Sequence, residues 1–326
     1  MASKVKSAET TAGVDRELAV DLYRRMRVIR RFEETVQSLF LRGEVHGTTH
    51  LYVGQEAVAT AVGSVLQPGD RVAATYRGHG HALSIGVDPQ ALMDEMLGRA
   101  TGCCGGRAGS MNVVDLEHGL IGSFGIIGGS MAAATGAALA LRGRGAVAVA
   151  YFGDGSTNHG YFHECLNFGQ VNRLPVVWIC ENNLYGEFTP WEQVTAGQII
   201  DRPLAMGIDV RQVDGMDVFA VRNAAAAAVT RARQGDGPVF IEALTYRFVG
   251  HSRSDPGAYR VPGELDSWRE RDPLVVAAAT LRELGVSPEE IAGVDASVDD
   301  ELDRVAERSL AAPYPDPGVP MAEFRP

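Results

Sequence analysis

Ala146-Val147-Ala148-Val149-Ala150-Tyr151-Phe152 runs directly into Gly153-Asp154-Gly155-Ser156. Seven apolar residues without alternation describe a strand buried on both faces, as parallel sheets covered by helices require. A Gly-Asp-Gly turn at its C-terminal end sets a carboxylate where such sheets bind their ligands. Downstream, 158–171 reads as a helix, and Val176-Val177-Trp178-Ile179-Cys180 as a second buried strand ending in Glu181-Asn182-Asn183. A helix over 217–234 and a strand over 238–246 continue the alternation. Upstream, 130–141 (SMAAATGAALAL) is small and apolar on every side, which predicts a buried helix. The order β-α-β-α predicts an α/β fold: a doubly wound, mainly parallel sheet with helices on both faces.

Further out, residues 1–13 read as a flexible tail. From Asp15, Leu18, Leu22, Met26, Ile29, Phe32, Val36 and Leu39 recur at three and four residues, a long amphipathic helix stopped at Gly43. Arg24, Arg25, Arg27, Arg30 and Arg31 fall largely off that stripe and read as a solvated face or a partner contact. A helix over 55–66 ends in Pro68-Gly69-Asp70, and a strand over 71–75 leads into Tyr76-Arg77-Gly78-His79-Gly80. Asp88-Pro89 opens another helix, a cap followed by proline at the first position. From Gly263 the chain is helical and acidic, with a capping box at Ser287 and Glu290. The expected organisation is therefore a tail (1–13), a ligand-binding domain (14–262) and a helical extension (263–326).

The 326 residues carry a formal charge of −11, 45% hydrophobic and 22% charged residues, an ordinary globular balance. That charge repels phosphate backbones and anionic lipid, so neither nucleic acid nor membrane is an expected partner. Four cysteines without a CxxC spacing indicate neither a zinc site nor a disulfide framework, and the cytoplasm is the expected setting. Glycine is in excess: 38 residues, 16 of them between Gly98 and Gly160. Glycines beside apolar segments bring backbone close to a ligand.

Asp154 and Asn183 stand 29 positions apart, one helix and one strand between them, so both reach the same sheet edge. A carboxylate and an amide oxygen are hard ligands suited to Mg²⁺, which keeps further positions for water and phosphate oxygens. The helix opening near Asn158 adds free N–H groups and a positive dipole end. Together these describe a cradle for a Mg²⁺-diphosphate.

This constellation resembles the thiamine diphosphate-binding motif. The wider chain is similar to the alpha subunits of the heteromeric 2-oxo acid dehydrogenases, which act on pyruvate, branched-chain 2-oxo acids or acetoin. The likeness is carried in order by IRRFEE (29–34), HLYVGQEAV (50–58), TYRGHG (75–80), GSMN (109–112), GIIGG (125–129), GDGSTNHG (153–160), ENNLYG (181–186) and YRFVGHSRSDPG (246–257). It implies that Asp154, Asn183 and the backbone carbonyl of Tyr185 hold Mg²⁺. Tyr76, Arg77 and Arg247 would reach the diphosphate, Gly155 and Ser156 would supply N–H groups, and Gly125 and Ile127 would face the pyrimidine ring. His251, His50 and His79 are the catalytic candidates it implies. It also implies a beta subunit contributing the activating glutamate, two alpha with two beta chains, and a lipoyl-bearing acyltransferase as acyl acceptor. Glu56, in the GQEA signature, reads as a capping or packing residue rather than that glutamate.

Two departures bear on the substrate. Thr48 stands where relatives usually carry an aromatic residue, which predicts a roomier pocket. Gly106-Arg107-Ala108-Gly109-Ser110-Met111-Asn112 stands where GKGGSMH is usual. Two other functions remain beside the dehydrogenase: a thiamine-dependent ketol or acyl transferase acting on a carrier protein, and a noncatalytic assembly paralogue.

Overall fold

A computed structural model describes residues 14–318; the tail expected at 1–13 lies outside them. The elements are α1 (Arg16–Leu41), α2 (Glu56–Gly63), β1 (Arg71–Thr75), α3 (His79–Ser84), α4 (Pro89–Met96), β2 (Leu120–Phe124), α5 (Gly129–Leu141) and β3 (Ala148–Gly153). There follow α6 (Gly160–Val171), β4 (Val176–Asn182), a two-residue ribbon β5 (Tyr185–Gly186) and β6 (Thr189–Pro190), α7 (Asp201–Ala205), β7 (Asp209–Asp214), α8 (Val218–Arg233) and β8 (Val239–Leu244). Three helices close the chain: α9 (Glu264–Arg269), α10 (Pro273–Glu283) and α11 (Pro288–Ala311).

Six strands form one sheet in the order β2-β1-β3-β4-β8-β7, every neighbour parallel. Side chains alternate across it. Val149, Tyr151, Val177 and Ile179 join the core under α1, α2 and α8, whereas Ala148, Ala150, Phe152, Trp178 and Cys180 join the core under α5 and α6. The chain leaves β1 for the edge strand β2 and returns to β3 on β1's other flank. This reversal opens a crevice beyond the C-terminal ends of β1 and β3, the place where open α/β sheets bind ligands.

Three readings need correction. The arginine face of α1 is not simply a solvated face, because the acidic helix α11 lies along it, although Arg24 and Arg25 stay exposed and Arg25 pairs with Asp21 of its own helix. Arg24 pairs with Glu301 at 2.5 Å and Arg27 with Asp299 at 2.6 Å, while Arg16 meets Glu290 and Arg31 meets Asp303. The capping box at Ser287 and Glu290 starts that helix. Helix α5 is covered on one side only: Met131, Ala134 and Ala138 are buried, but Ala132, Gly136, Leu139 and Ala140 face outward. Strands β2 and β7 went unread, the first within the glycine-rich stretch and the second because Asp209, Arg211 and Asp214 make it a charged edge.

Arg30 is the exception in its row. It is buried, 2.6 Å from Glu56 and 2.9 Å from Asp272, and Glu56 also accepts the Gly54 N–H at 3.0 Å. Gly54 is at φ +99°, and a Cβ there would strike the Tyr246 carbonyl. Glu56 therefore locks α1, α2 and the loop before α2 together. Removing Glu56 leaves the buried Arg30 with Asp272 as its one counter-charge and takes the acceptor from the Gly54 N–H, so Glu56→Ala is expected to cost about 3 kcal/mol in urea unfolding. A loss below about 1 kcal/mol, the value of a surface pair, would remove this role.

Candidate active site at the switch point

A cavity of about 550 Å³ fills the crevice. Five of the six strand ends contribute to it: Tyr76 and Arg77 after β1, Gly125 and Ile127 after β2, Asp154 to Ser156 after β3, Asn183 and Tyr185 after β4, and Arg247 and His251 after β8.

Asp154 opens a single 3₁₀ turn, Asp154–Asn158, where the apolar run of β3 ends. Its Oδ1 accepts the Asn183 N–H at 3.3 Å, while Oδ2 is buried without a partner. Burial pushes its carboxyl up to about 6. Asn183 accepts from Arg247 Nε at 3.3 Å through Oδ1 and donates to Gln55 Oε1 at 3.0 Å through Nδ2. Tyr185 lines the cavity as well, and its hydroxyl donates to Glu264 at 2.7 Å. Gly155 and Gly186 let the two loops close on each other, since a Cβ on Gly155 would lie 3.2 Å from the Gly186 Cα.

Arg77 and Arg247 are both buried, yet their hydrogen bonds go to uncharged oxygens. Arg77 donates to the carbonyls of Leu51 (2.6 Å) and His251 (2.8 Å). Arg247 donates to Asn183, to the Glu187 carbonyl (3.1 Å) and to the Tyr259 hydroxyl (3.5 Å), and its Nη1 is buried without a partner. Burial and the neighbouring Arg247 push Arg77 down to about 10. Two buried guanidiniums beside a half-satisfied carboxylate are costly by themselves. They suit an anion such as a diphosphate on the arginines with a hard cation between it and Asp154.

His50, Tyr76 and His251 form a ring cluster at one wall, with centroids 4.5 Å (His50 to Tyr76) and 5.0 Å (His50 to His251) apart. Burial, reinforced by Arg77, pushes His50 down to about 3 and His251 down to about 4, so both rings are neutral at pH 7 and resist protonation as long as the Arg77 charge is not offset. The turn holding His251 is braced from within: His251 N–H donates to Asp255 at 2.6 Å, and Arg260 donates to the carbonyls of Arg247 and Val249.

Compared with known proteins, the chain matches the family model described as "Dehydrogenase E1 component" over residues 24–318. The chain belongs to the dehydrogenase E1 component family. It is 40% identical to the alpha subunit of acetoin:2,6-dichlorophenolindophenol oxidoreductase from Cupriavidus necator, covering 97% of each chain. It is 41% identical to the pyruvate dehydrogenase E1 component subunit alpha from Zymomonas mobilis, covering 92% of this chain and 86% of that one. The corresponding subunit from Rhizobium meliloti is 40% identical, over 97% and 92%. This E1-family chain is thus an oxidoreductase of the alpha-subunit type.

Most of the expected residues of this E1 chain meet at the cavity, but His79 does not. It is fully buried beneath it, with Nδ1 3.0 Å from Glu33 and Nε2 2.8 Å from Ser110 Oγ, and acts as a brace for the loop carrying Ser110. Thr48 is exposed and does not line the cavity. Gln55 was missed. Its place in the GQEA motif was the available signal, and its contact with Asn183 orients that amide. Glu181 was missed too; it lines the cavity while held by the Tyr52 hydroxyl and by His81 at 3.0 Å.

Proposed function

We propose that this chain is the alpha subunit of a thiamine diphosphate- and Mg²⁺-dependent complex in the cytoplasm. The complex would oxidatively decarboxylate a 2-oxo acid, or cleave acetoin, and pass the acyl group to a lipoyl-bearing acyltransferase. The observation that carries the reading is the unpartnered Asp154 Oδ2 in the same cavity as the unpartnered Arg247 Nη1. Asp154, Asn183 and the Tyr185 backbone would hold Mg²⁺, with Arg77, Arg247, Tyr76 and the Gly155–Ser156 backbone around the diphosphate. Gly125 and Ile127 would support the pyrimidine ring. Bound there, thiamine diphosphate supplies the electron sink for breaking the bond to the substrate's carbonyl carbon.

The chain's own residues bind, orient and manage protons. Gln55 fixes the Asn183 amide and Asn183 fixes the Arg247 guanidinium. Burial and Arg77 hold His50 and His251 neutral, and an anion on Arg77 and Arg247 would remove the repulsion that helps keep them so. Either imidazole can then take a proton from substrate and return it. Four free cysteines accord with a reducing compartment, and no helix among the described residues is long and apolar enough to cross a membrane.

A beta subunit belongs to the reading. Beside the outward face of α5, Phe168 and Val171 of the neighbouring α6 and Ile126 (69% exposed) and Ile127 before α5 are exposed too. Exposed large apolar residues gathered on neighbouring elements fit a protein interface.

The test is dye-coupled turnover of the chain with its beta partner, Mg²⁺ and thiamine diphosphate, against a panel of 2-oxo acids and acetoin. Reduction of dichlorophenolindophenol with at least one of them is expected. Cofactor binding without any reduction would favour the transferase alternative, and absence of cofactor binding would favour the assembly paralogue.

A further inference from the structure

Away from the cavity, the described residues hold one cluster that the proposed function leaves unused: Glu95, Cys103 and Cys104, whose ligand atoms lie within 4.8 Å of one another. It has the outline of a metal site but not the chemistry. Glu95 is fully buried, and its Oε2 accepts the N–H groups of Cys104 (2.8 Å) and Gly106 (2.9 Å). Its Oε1 accepts those of Ala108 (2.7 Å) and Gly109 (3.1 Å). Two acceptor sites on each carboxylate oxygen are thereby filled. A cation would find only two sulfurs, both on adjacent residues.

What is left is a reactive pair of thiols. Both are half-exposed, whereas Cys165 and Cys180 are buried. Cys104 Sγ is held by both polar groups of Val114: as a thiol it donates to the Val114 carbonyl (3.3 Å), and as a thiolate it accepts the Val114 N–H (3.2 Å). The two thiols share one proton contact, which pulls the Cys104 thiol down and pushes Cys103 up. Cys104 is thus the nucleophile and Cys103 the resolving thiol.

The loop around them is anchored to different partners before and after the pair. Before the pair, the Cys103 N–H donates to the Ala91 carbonyl (3.1 Å) of α4, and the Ala100 N–H donates to the Pro313 carbonyl (2.8 Å). After the pair, Gly105 and Gly106 stand at φ +67° and +75°, and the chain is held chiefly by its N–H bonds to Glu95. Distortion of the Cys103–Cys104 peptide therefore passes forward, through the Cys104 N–H that Glu95 holds, toward Ser110 and Met111. Ser110 bonds His79, and Met111 lines the cavity.

We propose that Cys103 and Cys104 form a redox-active dithiol that closes into an adjacent-residue disulfide by exchange with a small-molecule disulfide, loosening the loop that carries Ser110 and Met111. The Cys104 thiolate attacks one sulfur of the small disulfide and expels a thiolate, giving a mixed disulfide. Cys103 then loses its proton and attacks the Cys104 sulfur, expelling the second thiolate. Two protein thiols are oxidised by two electrons, one disulfide is reduced to two thiols, and both protons end on those thiols. A disulfide across one peptide bond is strained and exposed, which makes it easy to reduce and suited to regulation rather than permanence.

The experiment incubates the full chain, with and without its beta partner, in graded glutathione/glutathione-disulfide mixtures, then denatures and alkylates it for mass spectrometry. The expected result is a 100–107 peptide that loses two hydrogens and takes up no alkylating reagent, while Cys165 and Cys180 are alkylated completely; dithiothreitol restores both thiols. Hydrogen exchange over 104–111 should quicken about tenfold in the oxidised chain, as local opening becomes easier. Cys103→Ser should stop at a stable glutathione adduct on Cys104, and Cys104→Ser should not close. Full alkylation of both thiols across the series, or a persistent glutathione adduct on the wild-type chain, overturns the dithiol. Closure with unchanged exchange over 104–111 overturns its link to the loop.

Discussion

Purified alone, the chain is expected to turn over neither a 2-oxo acid nor acetoin, and addition of the beta partner should restore turnover in the ordinary enzyme range of about 1 to 1,000 per second. The reason is the allocation of carboxylates. Activation of the cofactor in the proposed chemistry needs a glutamate beside the pyrimidine ring. Glu56 is bound to Arg30 and does not line the cavity, and Glu181 is held by Tyr52 and His81. The wall at Gly125 to Ile127, where the ring would rest, is open and apolar. A second chain on the outward face of α5 would both cover that surface and bring a carboxylate to the opening. Without it the same face should drive self-association, visible in sedimentation as a concentration-dependent rise in mass. Full turnover by this chain alone, lost in Glu56→Gln, would overturn the argument.

Replacing Asp154 by alanine should lower Mg²⁺-dependent thiamine diphosphate affinity by at least about 100-fold, since even supporting partners of metal ligands cost 10–100-fold. Asp154→Asn separates binding from stability. The folded carboxyl sits at about 6 against an ordinary 3.8 because burial disfavours its charge. Between those values the folded chain holds a proton that the unfolded chain has released. The group's contribution to stability is thus most favourable at low pH and is lost as pH rises from about 4 through 6. At pH 7 the buried charge costs on the order of 3 kcal/mol in the chain without cofactor. Asp154→Asn removes that charge, so the variant should melt higher than wild type without cofactor and fail to gain from Mg²⁺ and thiamine diphosphate. The same sign makes wild-type cofactor affinity fall as pH drops below about 6, where a proton competes for Oδ2. Calorimetry showing unchanged affinity in Asp154→Ala, or a lower melting temperature for unliganded Asp154→Asn, would remove the assignment.

Much of the architecture was legible because its signals are local. An apolar run with no alternation, as in β3 and β4, has few other places to go than the middle of a parallel sheet. A carboxylate after one and an amide after the next must then share an edge, because strands in a parallel sheet end on the same side. Charged β7 and glycine-bearing β2 were hidden, since an edge strand has little apolar demand to display. The same locality limited the site: His79 and His251 both stand beside glycines at strand ends, and nothing in their neighbourhoods separates a buried brace from a cavity wall.

What the sequence by itself determined is the parallel α/β core, the positions of Asp154 and Asn183 at the strand ends, and the acidic helix begun by Ser287. These follow from periodicity, capping and apolar runs, which act over a few residues. Only the tertiary structure decided that Glu56 belongs to Arg30, that α11 covers the arginine face of α1, that Gln55 orients Asn183, and that half of α5 stays uncovered. Those outcomes depend on which distant surfaces meet. An arginine has the same composition whether it finds water or a carboxylate some 270 positions away, and an alanine-rich helix looks alike whether its second face is covered by its own chain or by another.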